Sequence, residues 1–159
     1  MKQFQLAKWL KCITIIVGVL GIVFFFCIVP SIGKDVIRTY PEFTYLFWPY
    51  LVWAWAAAIP CLFALINLWK ICCEIAKDNS FCRANSKALQ SISRLALFDA
   101  MLVLTVSIVF FLFNMLHPGF LIASFFVAVG GLAVSIVSAV LSHWVEKGRK
   151  LKEENELTI

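Results

Sequence analysis

Charge is scarce in this chain: only 14% of its 159 residues are Asp, Glu, Lys or Arg, while 62% are hydrophobic. That balance excludes a water-soluble globular fold, because a domain of this length has no interior large enough to hide so much apolar surface. Catalytic motifs are missing as well. There is no H-E-x-x-H, no G-x-S-x-G, no Walker loop and no cluster of carboxylates inside an apolar stretch, so the chain reads as a non-enzyme without a cofactor. Histidine is limited to His117 and His143, and Cys72, Cys73 and Cys82 lack the paired C-x-x-C spacing of a structural zinc site, so no metal is expected. The same missing C-x-x-C argues against quinone-linked thiol oxidation.

What the chain has instead is four apolar blocks, over residues 12–29, 45–69, 92–116 and 120–144. Each approaches or exceeds the roughly 20 residues that carry a helix across a bilayer core about 30 Å thick. The expected fold is therefore all-α: an integral membrane four-helix bundle of two antiparallel hairpins, forming a single domain over residues 1–159. The first block follows Lys2, Lys8 and Lys11 and superficially resembles a secretory signal, but it is too long for an h-region and lacks a small-residue cleavage site. Pro30 and Gly33 are expected to end the first helix, leaving a loop over residues 31–44. Pro60 is expected to bend the second helix at mid-depth.

Position assigns the net charge of +5. Twelve of the fourteen Lys and Arg residues fall in the N-terminal arm, the polar segment 70–94 and the tail after Trp144, and only Lys34 and Arg38 fall in the first loop. Lys/Arg-rich connections stay in the cytoplasm, so both termini and segment 70–94 are expected there, with the first loop and the His117-Pro118-Gly119 turn on the other side. Beside membrane helices such residues point to anionic lipid headgroups, and no direct nucleic-acid contact is expected.

Segment 70–94 carries helical signals past both membrane edges, broken at Asp78-Asn79-Ser80, so the second and third helices are expected to project into the cytoplasm as a hairpin. Phe81, Leu89 and Ile92 would give this projection an apolar face, and Arg83, Lys87 and Arg94 a basic one. Phe81, Arg83 and Lys87 are thus candidates for docking a partner.

Contacts between spans should use small side chains: Thr14, Gly18 and Gly21 in the first span, Ala54, Ala57, Cys61 and Ala64 in the second, Ser93, Ala96, Ala100, Ser107 and Asn114 in the third, and Ala128, Gly131, Ser135, Ser138 and Ser142 in the fourth. Gly131, Ser135 and Ala139 also offer a homodimer face. Asp99 is the one acidic residue well inside a span. An intramembrane carboxyl must be paired, protonated or wetted, and Lys11 or Lys70 is its expected partner. Asn67 and Asn114 are expected to form interhelical hydrogen bonds.

The stretch DNSFCRANSKALQSISRLAL, followed near the C-terminus by LKEENELTI, resembles the bacterial membrane-protein family catalogued as domain of unknown function 2975. Its members share an N-x-F or P-F turn leading into a basic helix, four spans, and a C-terminal E-N-[DE]-L-T-I. Ser80 stands here where the family commonly has proline. The resemblance implies a bacterial inner-membrane protein, in a family often encoded beside a small helix-turn-helix regulator. With the residues, it points to a membrane anchor or sensor whose central segment and tail motif, Glu154, Asn155, Glu156, Leu157, Thr158 and Ile159, bind a cytoplasmic partner. The alternative is a small oligomeric transporter, or an export or immunity component, that uses Asp99.

Overall fold

A computed structural model describes residues 3–156, and every regular element among them is helical. The order is α1 (Gln3–Val23), a π-helical turn (Phe24–Ile28), α2 (Val29–Thr39), a 3-10 turn (Pro41–Leu46), α3 (Phe47–Ala76), α4 (Arg83–Leu112) and α5 (Pro118–Glu156). Four stretches are long and apolar enough to cross a membrane: Ala7–Thr39, Pro41–Ala76, Arg83–Leu112 and Pro118–Asn155. Helices α3 and α4 have 30 residues each and α5 has 39. At about 1.5 Å per residue these are about 45 and 58 Å long, well beyond a hydrocarbon core of about 30 Å.

Two expected helix ends are displaced. Pro30 and Gly33 do not stop the first helix, which runs on to Thr39. The π turn just before Pro30 is the reason: there the Val29 amide donates to the Phe24 carbonyl, so the wider turn absorbs the donor that proline lacks. Gly33 lies against α3, where a Cβ would meet the Phe47 ring at 3.0 Å. The third helix stops earlier than expected, at Leu112, because Asn114 takes the left-handed conformation at φ 55°. The Asn114 amide donates to the Phe111 carbonyl and the Met115 amide to the Phe110 carbonyl at 2.8 Å, which closes the helix end with a Schellman pair of bonds. The link to α5 is therefore residues 113–117. The His117 Nδ1 accepts from the Gly119 amide at 3.1 Å, which caps the start of α5, and Pro118 occupies its first position.

The long helices pack in chain order as an open bundle. Helix α1 touches α3, α3 touches α4 and α4 touches α5; among the described residues α1 meets neither α4 nor α5. All three interfaces are antiparallel by their residue pairs. Thr14 lies against Cys72 and Phe26 against Trp55; Cys61 lies against Asp99 and Tyr50 against Phe110. The tightest interface is α4–α5, built on a repeat of seven: Ser86, Ser93, Ala100 and Ser107 face a strip containing Ser142, Ser135, Gly131 and Ala128. Ser86 and Ser142 hydroxyls each donate to the other's carbonyl, at 3.2 and 2.8 Å, and Ser135 donates to the Ser93 carbonyl at 2.8 Å. Small residues every seven positions allow this close, left-handed approach of backbones.

Candidate functional site

Two places in the molecule gather polar chemistry: the α3–α4 seam around Asp99, and the end where the basic residues collect.

Asp99 projects from the middle of α4 toward α3, and its partner is a thiol. Cys61 Sγ donates to Asp99 Oδ2 at 3.5 Å, while Asp99 Oδ1 is buried with no protein group in hydrogen-bonding reach. The expected lysine partners are elsewhere. Lys11 sits on α1, which never reaches α4, and its ammonium lies 5.5 Å from the centre of the Trp69 ring, a cation–π contact. No ion pair joins Lys70 to Asp99 among the described residues. Cys61 belongs to the Ala54, Ala57, Cys61, Ala64 stripe and was legible only as a small packing residue; its spacing in that stripe was the signal that it faces α4.

The two asparagines do not bond between helices. Asn67 donates to the Phe63 carbonyl of its own helix at 2.9 Å, and Asn114 is the left-handed residue beyond the end of α4. Toward the 113–117 link, Tyr50, Trp53 and Phe110 pack edge to face, and the Tyr50 hydroxyl donates to the Met115 carbonyl at 2.7 Å. Trp53 Nε1 is buried without a protein partner, as is the hydroxyl of Ser107, a residue 1% exposed. At the opposite end the same seam buries Ile71, Ala88 and Ile92 together, with Ala64, Ile75 and Leu89 packed on them, beside a groove lined by Asn67, Lys70, Cys73, Glu74, Asn85 and Lys87.

At the basic end, α3 closes with a second Schellman pair: Asp78 takes φ 60°, and the Asp78 and Asn79 amides donate to the Ile75 and Glu74 carbonyls, both at 3.1 Å. The cap of α4 is Cys82, whose sulfur accepts from the Asn85 amide at 3.4 Å. Asn85 is buried and donates its side-chain amide to the Ser80 carbonyl at 2.9 Å, which fixes the turn. Phe81 does not join Leu89 and Ile92 on one face. Its ring covers Gly148 of α5, so closely that a Cβ there would lie 2.6 Å from the ring, although 54% of Phe81 remains exposed.

Next to this clasp Arg149 donates to Glu146 at 2.7 Å and to Glu153, and the first bond holds the Glu146 carboxyl below the ordinary carboxylate range. A groove lined by Asn79, Phe81, Cys82, Arg83, Arg149 and Lys152 lies between the turn and α5. Arg83 and Lys87 are exposed. Of the tail motif, Glu154 and Asn155 are exposed on α5 and Glu156 ends it; Leu157, Thr158 and Ile159 lie outside the described residues. Of the expected homodimer residues, Gly131 and Ser135 are taken up against α4, and Ala139 is exposed.

The chain is similar, at 22% identity over 153 residues, to an uncharacterized membrane protein, YoaS, of Bacillus subtilis (strain 168), and the match covers 95% of this chain and 96% of the relative. No solved structure matches. The family model described as protein of unknown function (DUF2975) matches residues 31–159, from the helical extension after Pro30 through the clasped turn to the end of the tail, and the chain belongs to that family of membrane proteins.

Proposed function

We propose that the protein is a bacterial inner-membrane anchor or sensor, with both termini and the basic end in the cytoplasm, that binds a cytoplasmic partner such as a small helix-turn-helix regulator. The observation that carries this reading is the clasp of Phe81 on Gly148. Helix α5 runs on unbroken past Trp144 to Glu156, about 18 Å of helix at about 1.5 Å per residue, and the clasp ties this extension to the α3–α4 turn. A tail held in this way presents Glu154 and Asn155 at a defined place and couples them to the packing of the spans. Lys70, Arg83, Lys87, Lys147 and Lys150 are exposed at the basic end and suit anionic headgroups, which would hold the docking surface at the membrane.

Deleting residues 154–159 is expected to weaken recovery of a cytoplasmic partner in pull-downs from native membranes, with membrane insertion intact. Unchanged recovery of every partner would overturn the anchor reading.

The second reading, a small oligomeric transporter or an export or immunity component, is favoured by the unpartnered oxygen of Asp99. Asp99→Asn separates the two readings: a transporter loses pH-coupled flux or resistance, and an anchor keeps its partner.

A further inference from the structure

The groove beside the Ile71, Ala88 and Ile92 cluster lies between α3 and α4, holds about 450 Å³, and has Asn67, Trp69, Lys70, Glu74, Lys87 and Ser91 in its lining. Its depth follows from the sequence. Helix α3 has no charged residue from Phe47 to Trp69, and Lys70 is the first. A tryptophan and a first lysine at the end of an uncharged span mark the level of the lipid headgroups, so the groove opens into that layer. Its charges do not cancel. Neither Lys70 nor Lys87 makes an ion pair among the described residues. Glu74, in contrast, accepts from the Lys77 ammonium at 2.8 Å and from the Asn79 side-chain amide at 3.2 Å, which hold its carboxylate. The Lys11 ammonium, 5.5 Å from the centre of the Trp69 ring, adds a third cation beside the groove. One helical turn deeper, Ser91 offers a hydroxyl and Asn67 a second amide hydrogen, its first being bonded to the Phe63 carbonyl at 2.9 Å. Phe63, four residues from Asn67, and Phe98, seven from Ser91, continue the same helix faces toward the middle of the spans, and both are exposed.

We infer that this groove binds one anionic glycerophospholipid, with the phosphate between Lys70 and Lys87 and the acyl chains lying along α3 and α4 over Phe63 and Phe98. Charge complementarity selects the occupant, as it does where basic pockets between membrane helices take anionic headgroups. The phosphate oxygens accept from the two ammonium groups. The Asn67 amide and the Ser91 hydroxyl, one turn deeper, donate to the ester carbonyls of the glycerol. A zwitterionic lipid brings an ammonium group of its own on the same phosphate, and Lys70, Lys87 and Lys11 repel it. A soluble phosphate has the charge but no chains to cover the two phenylalanines. Such a site differs from the diffuse attraction of exposed lysines to a membrane, because it takes one lipid and depends on the shape of the groove. It rests only on the basic end meeting a headgroup layer, and so holds for either reading of the protein's role.

The test is native mass spectrometry of the full chain released from micelles that contain equal amounts of phosphatidylglycerol and phosphatidylcholine with the same acyl chains. The wild type is expected to retain one phosphatidylglycerol in preference to phosphatidylcholine. Lys70→Gln combined with Lys87→Gln is expected to lower that preference about 25-fold, since each lysine near an anionic lipid surface gives a preference of about fivefold. Ser91→Phe, which fills the groove without changing the charge, is expected to lower it by a comparable factor, whereas a diffuse attraction to the basic end would not register it. Lys34→Gln combined with Arg38→Gln removes two charges at the opposite end and is expected to leave the preference unchanged. Unchanged retention in Ser91→Phe, or equal loss in the two charge variants, would overturn the inference. So would displacement of the lipid by millimolar glycerol phosphate, which would make a soluble phosphate the ligand. Equal retention of the two lipids by the wild type, which needs no variant to fold, would do so alone.

Discussion

Gly131→Val is expected to lower the stability of the α4–α5 seam by about 1–3 kcal/mol, the usual cost of forcing extra methyl groups into a packed interface. The reason lies in what surrounds that glycine. A Cβ alone at position 131 would lie 3.1 Å from the Ala100 Cβ and 3.5 Å from the Ala96 carbonyl oxygen. Neither can swing away, since one is fixed to the backbone and the other is backbone. Valine would separate the helices over the stretch where Ser93 and Ser135 bond, and those hydroxyls lose their partners. Gly130, one residue earlier, is the control. A Cβ there meets nothing within 4 Å, so Gly130→Val carries the same change of side chain into open space.

The measurement is an engineered disulfide. Ser93 and Ser135 have their hydroxyl oxygens 3.1 Å apart, so a Ser93→Cys, Ser135→Cys pair in a background without the native cysteines should oxidise readily in membranes. Crosslinking is expected to fall sharply in Gly131→Val and to persist in Gly130→Val. Equal crosslinking in the two would mean that α4 and α5 do not pack through Gly131. The same result bears on oligomer formation, because a glycine occupied within one chain is not available to a second copy.

The α4–α5 seam was among the parts most legible before the structure. Its small residues recur at spacings of three, four and seven, and that periodicity is visible in one dimension. Features that depend on where helices lie relative to one another were not legible. Lys11 looked within reach of Asp99 because both belong to helices of one bundle, but the bundle is open and α1 is separated from α4 by α3. Cys61 was read as a small packing residue, and only the register of α3 against α4 makes it a donor to a carboxylate.

Pro30 was misread for a local reason. Proline normally ends or kinks a helix, and the π turn that accommodates it leaves no sequence signal in a run of Phe24, Phe25 and Phe26. Asn114 was misread because one polar side chain served two templates. At the end of an apolar block an asparagine fits an interhelical bond and also the left-handed residue of a helix stop; the backbone chose the second. Phe81 was read as a docking candidate sharing a face with Leu89 and Ile92, and it lies on Gly148 instead. Its placement on Gly148 pairs residues 67 positions apart, which no local pattern reveals.

Asp99→Leu is expected to make the isolated protein more stable by about 1–3 kcal/mol, because it removes a buried polar oxygen that no protein group satisfies. A hydrophobic side chain at this depth meets neighbours as apolar as itself, whereas the carboxyl has one thiol as its protein donor. Asp99 is only half-buried, so leucine has room and adds no overpacking. The partner residue gives the opposite sign. Cys61→Ala takes away the bond to Oδ2 and leaves both carboxyl oxygens without a protein donor, so it should destabilise the wild type. In the Asp99→Leu background that bond no longer exists, and Cys61→Ala should then cost little beyond the lost sulfur contacts. The double-mutant cycle, read from unfolding in mixed micelles of increasing SDS content, thus isolates the thiol–carboxyl pair. A destabilised Asp99→Leu would show the carboxyl to be fully satisfied in the folded protein. A stabilised one would show that the chain keeps Asp99 at the expense of its own stability, as a group retained for function is.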